Sequence, residues 1–263
     1  MEKNQKSRKS VVWFILIISI VIIIFSGYKL WKIQQIYIQG DQNYVNLREQ
    51  ILYSDKNQEL INSLESETTP SVYIPPIFIN FDALEQVNND SIAWLYCPNT
   101  VIDYPVMRAD DYNQYLYHLP DGTKNVNGSL FLDYNCSADF SGRLNIIYGH
   151  HMKSGKMFGS LEGYKKQEYF EQNPYIYLYT RQGNYRVDLT YGCIINAGEW
   201  RERAFMYEAN LEALLTYAAS KTTFDSNIDF TDNSNFVVFS TCSYDFDNAR
   251  YIVIGVLRPE YGE

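Results

Sequence analysis

The side chains able to do covalent chemistry stand at the ends of apolar runs. Cys242 ends FVVFST, and Arg250 follows eight residues later, just before YIVIGVL. His150 ends the run NIIYG. If residues 236–241 and 251–257 are neighbouring antiparallel strands, Cys242 and Arg250 flank one connection and can face one site. His150 would emerge from its own strand at the rim of a barrel. The three groups amount to a nucleophile, an acid/base and a fixed cation. Sulfur attacks a carbonyl as thiolate, the form that a nearby imidazolium or guanidinium favours. A guanidinium can also hydrogen-bond the developing oxyanion, and an imidazole can protonate a leaving amine. Taken singly, each residue has a plainer role: Cys242 as a small buried hydrophobe, His150 as a turn residue, Arg250 as a surface charge.

Other chemistries lack their markers. There is no G-x-x-x-x-G-K-[ST], no G-x-G-x-x-G after a strand, no H-E-x-x-H and no G-x-S-x-G. His118, in YLYHLPDG, precedes a turn and is expected only to satisfy local hydrogen bonds. His150 and His151 are adjacent, so their side chains diverge on a strand and make a poor zinc pair. Residues 225–232 are acidic but lack the spacing of a calcium loop, which reads as a solvated loop. Cys97, Cys136, Cys193 and Cys242 lie far apart with no C-x-x-C pair. They read as buried or reactive thiols rather than a disulfide framework.

The elements that must position the site are mostly strands. From about residue 77 the chain becomes short apolar runs separated by turn residues. Candidate strands are 92–96, 101–106, 129–133, 144–148, 175–180, 185–195, 236–240 and 251–257. Two helices interrupt them, at 161–170 and 203–221, the second with Leu211, Leu214, Leu215 and Ala218 along one face. Eight strands with few helices predict a mainly β fold, a closed barrel rather than a parallel α/β sheet.

The N-terminus carries a different signal. Residues 11–25, VVWFILIISIVIIIF, are broken only by Ser19, and Ser26, Gly27 and Tyr28 extend the run to 18 residues before Lys29. That is about the minimum for a helix to cross a hydrocarbon core of roughly 30 Å. A core helix would show a polar face, and a cleaved leader would show a small-x-small site, which SGYKLWK does not offer. Residues 11–28 are therefore expected to be an uncleaved signal anchor. The basic residues 1–10 would stay cytoplasmic, and everything after Lys29 would lie outside the cell. Residues 29–76 are polar, with Leu47, Ile51, Leu60, Ile61 and Leu64 at a partial helical period. They predict a juxtamembrane stalk with helical segments, followed by a β-rich domain over 77–263.

Composition agrees with an exported globular domain. The 263 residues are 46% hydrophobic and 20% charged, enough for a substantial core. Acidic side chains number 31 against 22 basic, for a net charge of −9. Four of the basic ones, Lys3, Lys6, Arg8 and Lys9, fall in the first ten residues. A body that acidic lacks the basic stripe that nucleic-acid binding requires.

The words around the candidate residues resemble a known family. YGHHMKSGKMFGSL around His150 and FSTCSYDFDNAR around Cys242 resemble the two catalytic segments of sortases, specifically class B sortases. Those are membrane-anchored cysteine transpeptidases on the outer face of Gram-positive bacteria. The resemblance covers roughly residues 77–263 and includes WLYCPNTVIDYPV and NGSLFLDY. It implies the eight-stranded sortase barrel, with a helix between strands six and seven where residues 203–221 fit. It places the catalytic Cys on Cys242, the His on His150 and the Arg on Arg250, with Leu116, Ser240 and Thr241 as groove contacts. His151 falls where the family varies and reads as incidental. Val238 and Phe239 depart from the T-L-x-T-C of many sortases, which bears on the groove rather than the nucleophile.

The reaction implied is cleavage after Thr in a C-terminal sorting motif of an exported protein, through a Cys242 thioacyl enzyme. An amine of a lipid II-type peptidoglycan precursor would then resolve it, without metal or other cofactor. Two alternatives share the barrel: a pilus-assembling sortase using a pilin lysine, and a non-catalytic surface-binding barrel. A thiol protease releasing its acyl group to water would share the chemistry as well, so a hydrolase outcome differs only in product.

Overall fold

The chain begins in helix and ends in strand. In the computed structural model, which describes residues 2–52 and 75–260, helix α1 (Glu2–Leu52) precedes α2 (Phe81–Val87), β1 (Ser91–Tyr96), β2 (Asp103–Met107) and α3 (Tyr112–Leu116). Then come β3 (Leu130–Leu132), β4 (Leu144–Tyr148), a 3-10 helix (Phe158–Lys165), α4 (Gln167–Gln172), β5 (Tyr175–Thr180) and β6 (Asn184–Asn196). The chain finishes with α5 (Ala197–Glu202), α6 (Leu211–Ser220), β7 (Asn235–Cys242) and β8 (Ala249–Pro259). The strands close into one barrel in the order β1-β2-β3-β4-β7-β8-β6-β5.

The eight-stranded closed barrel expected from the sequence is the one found, with each candidate strand present. The ends differ where turn chemistry intervenes. Strand β2 starts at Asp103 rather than 101, because Asn99 sits at φ 60° and Thr100 Oγ1 bonds back to the Cys97 carbonyl at 2.9 Å. The helix expected at 161–170 is two pieces, broken where Lys166 is extended at φ −121°, ψ 131°. The helix expected at 203–221 is regular only over Leu211–Ser220, since Ala204 at φ 52° ends the preceding α5. Leu211, Leu214, Leu215 and Ala218 do form its buried face.

Two parallel pairings, β2 with β3 and β4 with β7, interrupt an otherwise antiparallel barrel. Their sequences show why they are central. LNIIY and NFVVFSTC are near-continuous apolar runs, as expected of strands covered on both faces. The 3-10 helix covers part of that seam. Phe158 meets Phe239 of β7 edge-on, with ring centroids 5.9 Å apart, and both are fully buried. A second apolar cluster joins Leu47 and Ile51 of α1 to Leu84 of α2 and to Trp94, Tyr177 and Tyr179 of the barrel wall.

Residues 36–51 of the segment expected to be a stalk thus lie against the barrel. Leu60, Ile61 and Leu64 of its proposed helical period fall outside the described residues. Residues 12–28 of α1 are exposed, with Ile23 at 69% and Trp13 at 67%. By length and composition this helix is able to cross a membrane.

The Phe158–Phe239 contact yields a stability prediction. Phe239→Ala is expected to cost about 3–5 kcal/mol, as large-to-small changes in a closed core do. Denaturant unfolding checks it through a lower midpoint at unchanged slope.

Candidate active site

Three neighbouring strand ends meet at one rim of the barrel. Cys242 is the last residue of β7, and its backbone pairs in register with Arg250, the second residue of β8. On the other side, β4 and β7 run parallel, with Tyr148 level with Ser240. Gly149 N donates to Ser240 O at 3.1 Å, and Thr241 Oγ1 donates to Gly149 O at 2.8 Å. These two bonds carry the parallel register past the end of β4, which sets His150 beside Cys242. Adjacent strands are about 4.8 Å apart, so His150 and Arg250 flank the cysteine from opposite sides.

The three residues open into one cavity of about 660 Å³. Its walls include Leu116, Ser240 and Thr241, the groove contacts expected from the sequence. They also include Tyr112, Tyr117, Trp200, Arg201 and Met206, which sequence reasoning missed. Tyr112 opens the short α3 and Tyr117 follows it, and Trp200 and Arg201 belong to α5; neither helix has a readable period. Among the described residues no carboxylate lines this cavity, while Arg201 and Arg250 both do. Arg250 has no acidic partner among the described residues, and its Nη1 donates to the Ala249 carbonyl at 3.2 Å.

Backbone carbonyls fix the state of both histidines. His150 Nε2 lies 2.6 Å from Leu116 O. A carbonyl only accepts, so Nε2 carries hydrogen, and Nδ1 is the nitrogen left to gain or lose a proton. The loop that supplies this carbonyl is held tightly. Gly128 adopts φ +56°, and a Cβ there would come within 2.6 Å of Leu116 O and 2.9 Å of His150 Cδ2. A Cβ on Gly149 would overlap Leu130 and stand 2.7 Å from the Phe158 ring. The glycines of NGS and YGH therefore let the backbone and the neighbouring rings approach His150 closely.

His151, read from sequence as incidental, has a definite job. Its Nδ1 donates to the carbonyl of Cys242 at 2.7 Å and lies 3.7 Å from Glu162. Its ring meets Tyr244 edge-on at 4.7 Å. Around it, Glu162 and Lys165 of the 3-10 helix join Ser243 and Asp245 of the β7–β8 connection. Lys165 Nζ is 2.6 Å from Glu162 Oε2 and 3.2 Å from Ser243 Oγ, and it also pairs with Asp245. Ser243 bonds Asp245 as well. This clasp ties the segment just after the cysteine to the helix just after the histidine.

A second polar group supports the cavity floor. Asp133, fully buried, accepts from Tyr112 OH at 2.7 Å and from Tyr148 OH at 2.9 Å. Burial first, and then the Asp133 charge, push the Tyr148 phenol well above its usual range, so it stays a donor. The remaining expected features are placed as follows. His118 Nδ1 bonds Gln114 O at 2.6 Å, a local contact. Residues 225–232 form a largely exposed loop. Among the described residues no cluster of three His, Cys, Asp or Glu is arranged to hold a metal ion.

All four cysteines are free thiols, three of them buried and Cys242 exposed. Burial raises the Cys97 thiol, and pushes Cys136 up to about 11 and Cys193 up to about 12. Iodoacetamide at pH 7.5 is therefore expected to label Cys242 alone in the folded protein. Peptide mass mapping should find the other three modified only after denaturation.

The clasp gives a pH prediction. The Lys165 ammonium, and next the Ser243 hydroxyl, hold the Asp245 carboxyl below the usual carboxylate range. A depressed folded value contributes stability above the unfolded value, near pH 4, and loses it as pH falls through the folded one. Asp245→Asn is expected to lower Tm by about 2 °C at pH 7, a small effect because the pair is partly solvated. Thermal melts from pH 7 to 2 should show that difference vanish.

The chain as a whole is similar to known proteins. No protein-family model matches the chain. It is 29% identical to Sortase B of Listeria monocytogenes over 178 residues, spanning 66% of this chain and 72% of that protein. It is 26% identical to Sortase B of Staphylococcus aureus over 241 residues, spanning 90% of this chain and 93% of that one. The X-ray structure of Sortase B of Clostridium perfringens superposes with a TM-score of 0.63 at 27% identity, covering 68% of this chain and all of that one.

Proposed function

Because the chain belongs to the class B sortases, we propose that it cleaves a C-terminal sorting motif after Thr and passes the acyl group to a cell-wall amine. The observation that carries this reading is the row of strand ends in which His150, Cys242 and Arg250 flank one another in a single cavity.

The Cys242 sulfur, as thiolate, attacks the Thr carbonyl carbon of the bound motif. The carbonyl electrons move to oxygen, and the Arg250 guanidinium, without a carboxylate partner among the described residues, hydrogen-bonds the oxyanion. Collapse breaks the C–N bond, and His150 delivers a proton from Nδ1 to the departing amine while its Nε2 hydrogen stays on Leu116 O. The thioester is then attacked by the acceptor amine. His150 Nδ1 takes the amine's proton, an amide forms, and Cys242 leaves as thiolate. Leu116, Ser240 and Thr241 act in this reading as walls of the peptide groove. Thr241 does so through its methyl group, since its hydroxyl is committed to Gly149 O.

The length and apolar composition of α1 support a membrane location. Residues 11–28 act as a single-pass anchor, residues 1–10 lie on the cytoplasmic side, residues 29–76 connect, and residues 77–263 are the catalytic domain outside the cell. The donor partners are exported proteins bearing the motif, and the acceptor is a lipid II-type precursor amine.

The test uses the full chain in detergent with a panel of sorting-motif peptides, with and without oligoglycine or diaminopimelate-type amines. Mass spectra should show an acyl adduct on Cys242 and an amine-ligated product. Cys242→Ala should abolish both, and His150→Ala or Arg250→Ala should each slow ligation by about 10²–10³-fold. Hydrolysis that no amine diverts would instead mark a thiol protease. Preference for a lysine-bearing protein acceptor would mark a pilus-assembling enzyme, and a folded protein whose Cys242 is inert would leave only a binding barrel.

A further inference from the structure

Helix α1 is continuous from Glu2 to Leu52, and two parts of it have different surroundings. The apolar part up to Phe25 is bare. It ends in Tyr28, Lys29, Trp31 and Lys32, with the Tyr28 and Trp31 rings 6.2 Å apart and both more than half exposed. Aromatic rings interleaved with lysines are what a helix presents at a lipid–water boundary.

Contact with the barrel begins one turn later. Asn125 Nδ2 donates to Ile36 O at 2.9 Å, and Asn127 Nδ2 donates to Tyr37 O at 3.3 Å. Gly40 has no room for a side chain, because a Cβ would overlap the Asn127 amide. Asp41 pairs with Lys156 at 2.6 Å, and Asn43 donates to Asp121 at 2.6 Å. Tyr44, buried, donates to Gly128 O at 2.6 Å. Arg48 Nε reaches Asp103 O at 2.9 Å and its carboxylate at 3.0 Å. Leu47 and Ile51 complete the dock in the apolar cluster. The attachment therefore spans about four turns and uses a different kind of contact on each.

The loop that grips α1 also serves the site. Asn125, Asn127 and Gly128 belong to the segment between Leu116 and β3, and Leu116 O holds His150. A second cavity, of about 470 Å³, lies between this helix and the catalytic loop, with Tyr37 and Asp41 on one wall and His150, His151 and Lys153 on another. Counting 1.5 Å per residue from Lys32, Tyr37 and Asp41 stand about 8–14 Å along the helix from the boundary residues.

We propose that α1 is a rigid post rather than a tether, holding the catalytic cavity at one height and one facing just above the lipid headgroups. The partner of this surface is the bilayer, and its consequence is that a membrane-held amine reaches His150 and Cys242 in a fixed geometry. The proposal rests on the anchor and the transpeptidase reading above. A tether would let the barrel tumble and would treat lipid-linked and free amines alike.

The experiment changes the post without touching the site. Two or four alanines are inserted between Ile33 and Gln34, above the boundary residues and before the first docking contact. Each alanine adds about 1.5 Å and 100°, so two reverse the facing and four nearly restore it one turn higher. Full chains are reconstituted in phosphatidylglycerol–phosphatidylethanolamine vesicles. Ligation is measured with one amine peptide, either free or coupled to a lipid in the same vesicles.

With the lipid-coupled amine, the two-alanine variant is expected to lose at least about tenfold and the four-alanine variant to recover most of it. With the free amine, all should match the parent. Equal rates on the lipid-coupled amine for every insertion overturn the post. A parent that ligates neither amine overturns the transpeptidase reading instead, and a structural arm then decides. In that arm a dye on Gln182→Cys, in a Cys242→Ala background, transfers energy to a headgroup dye. A post gives a narrow distance that changes with insertion phase and broadens in Gly40→Val. A broad distance already present in the parent, unchanged by Gly40→Val, refutes it.

Discussion

The parallel seam between β4 and β7 is the constraint on which the site depends. Parallel strands cannot be joined by a tight turn. His150 and Cys242 are brought together by a connection that contains two further strands and most of the helices. Five register pairs, from Leu144 with Phe236 to Tyr148 with Ser240, fix the relative height of the two chains. Both faces of these strands are buried, so a slip of one residue would exchange two differently packed apolar faces, and the core enforces the register rather than the groups at the rim. The bonds Gly149–Ser240 and Thr241–Gly149 carry that register to the rim.

The same seam explains the tight words around the two residues. Phe158 packs on Phe239 under the rim, and Gly149 is the glycine that lets it. Beyond the rim, order passes from apolar packing to polar bonds. His151 holds the Cys242 carbonyl, and Lys165 gathers Glu162, Ser243 and Asp245. Together these bonds hold the connection that follows Cys242, and among the described residues none of their carboxylates lines the cavity that holds Arg250.

What was legible in the sequence follows from range. FVVFSTC and YIVIGVL read as strands because their burial is written in consecutive residues, and the Cys242–Arg250 pairing follows once they are hairpin neighbours. The placement of His150 was legible through the resemblance of its flanking words to a sortase segment, since nothing local relates residues 150 and 242. Walls from α3 and α5 were illegible, since helices of five and six residues show no period to read. His151 was misjudged for a related reason. Its partner is a backbone carbonyl 91 residues away, which leaves no trace in side-chain pattern.

The stretch after the apolar helix shows the limit most clearly. By composition residues 29–52 are polar and read as a spacer, and Leu47 and Ile51 were visible as a partial period. What makes the segment a dock is distributed among partners up to 115 residues away: Asn125, Asn127, Gly128, Asp103 and Lys156. Two of these bonds end on helix carbonyls that already serve the helix, and one close approach depends on Gly40 having no side chain. Such contacts have no hydrophobic signature, yet together they join the apolar helix to the loop whose Leu116 carbonyl orients His150. A spacer that reads as polar and featureless in sequence is thus docked along about four turns of helix.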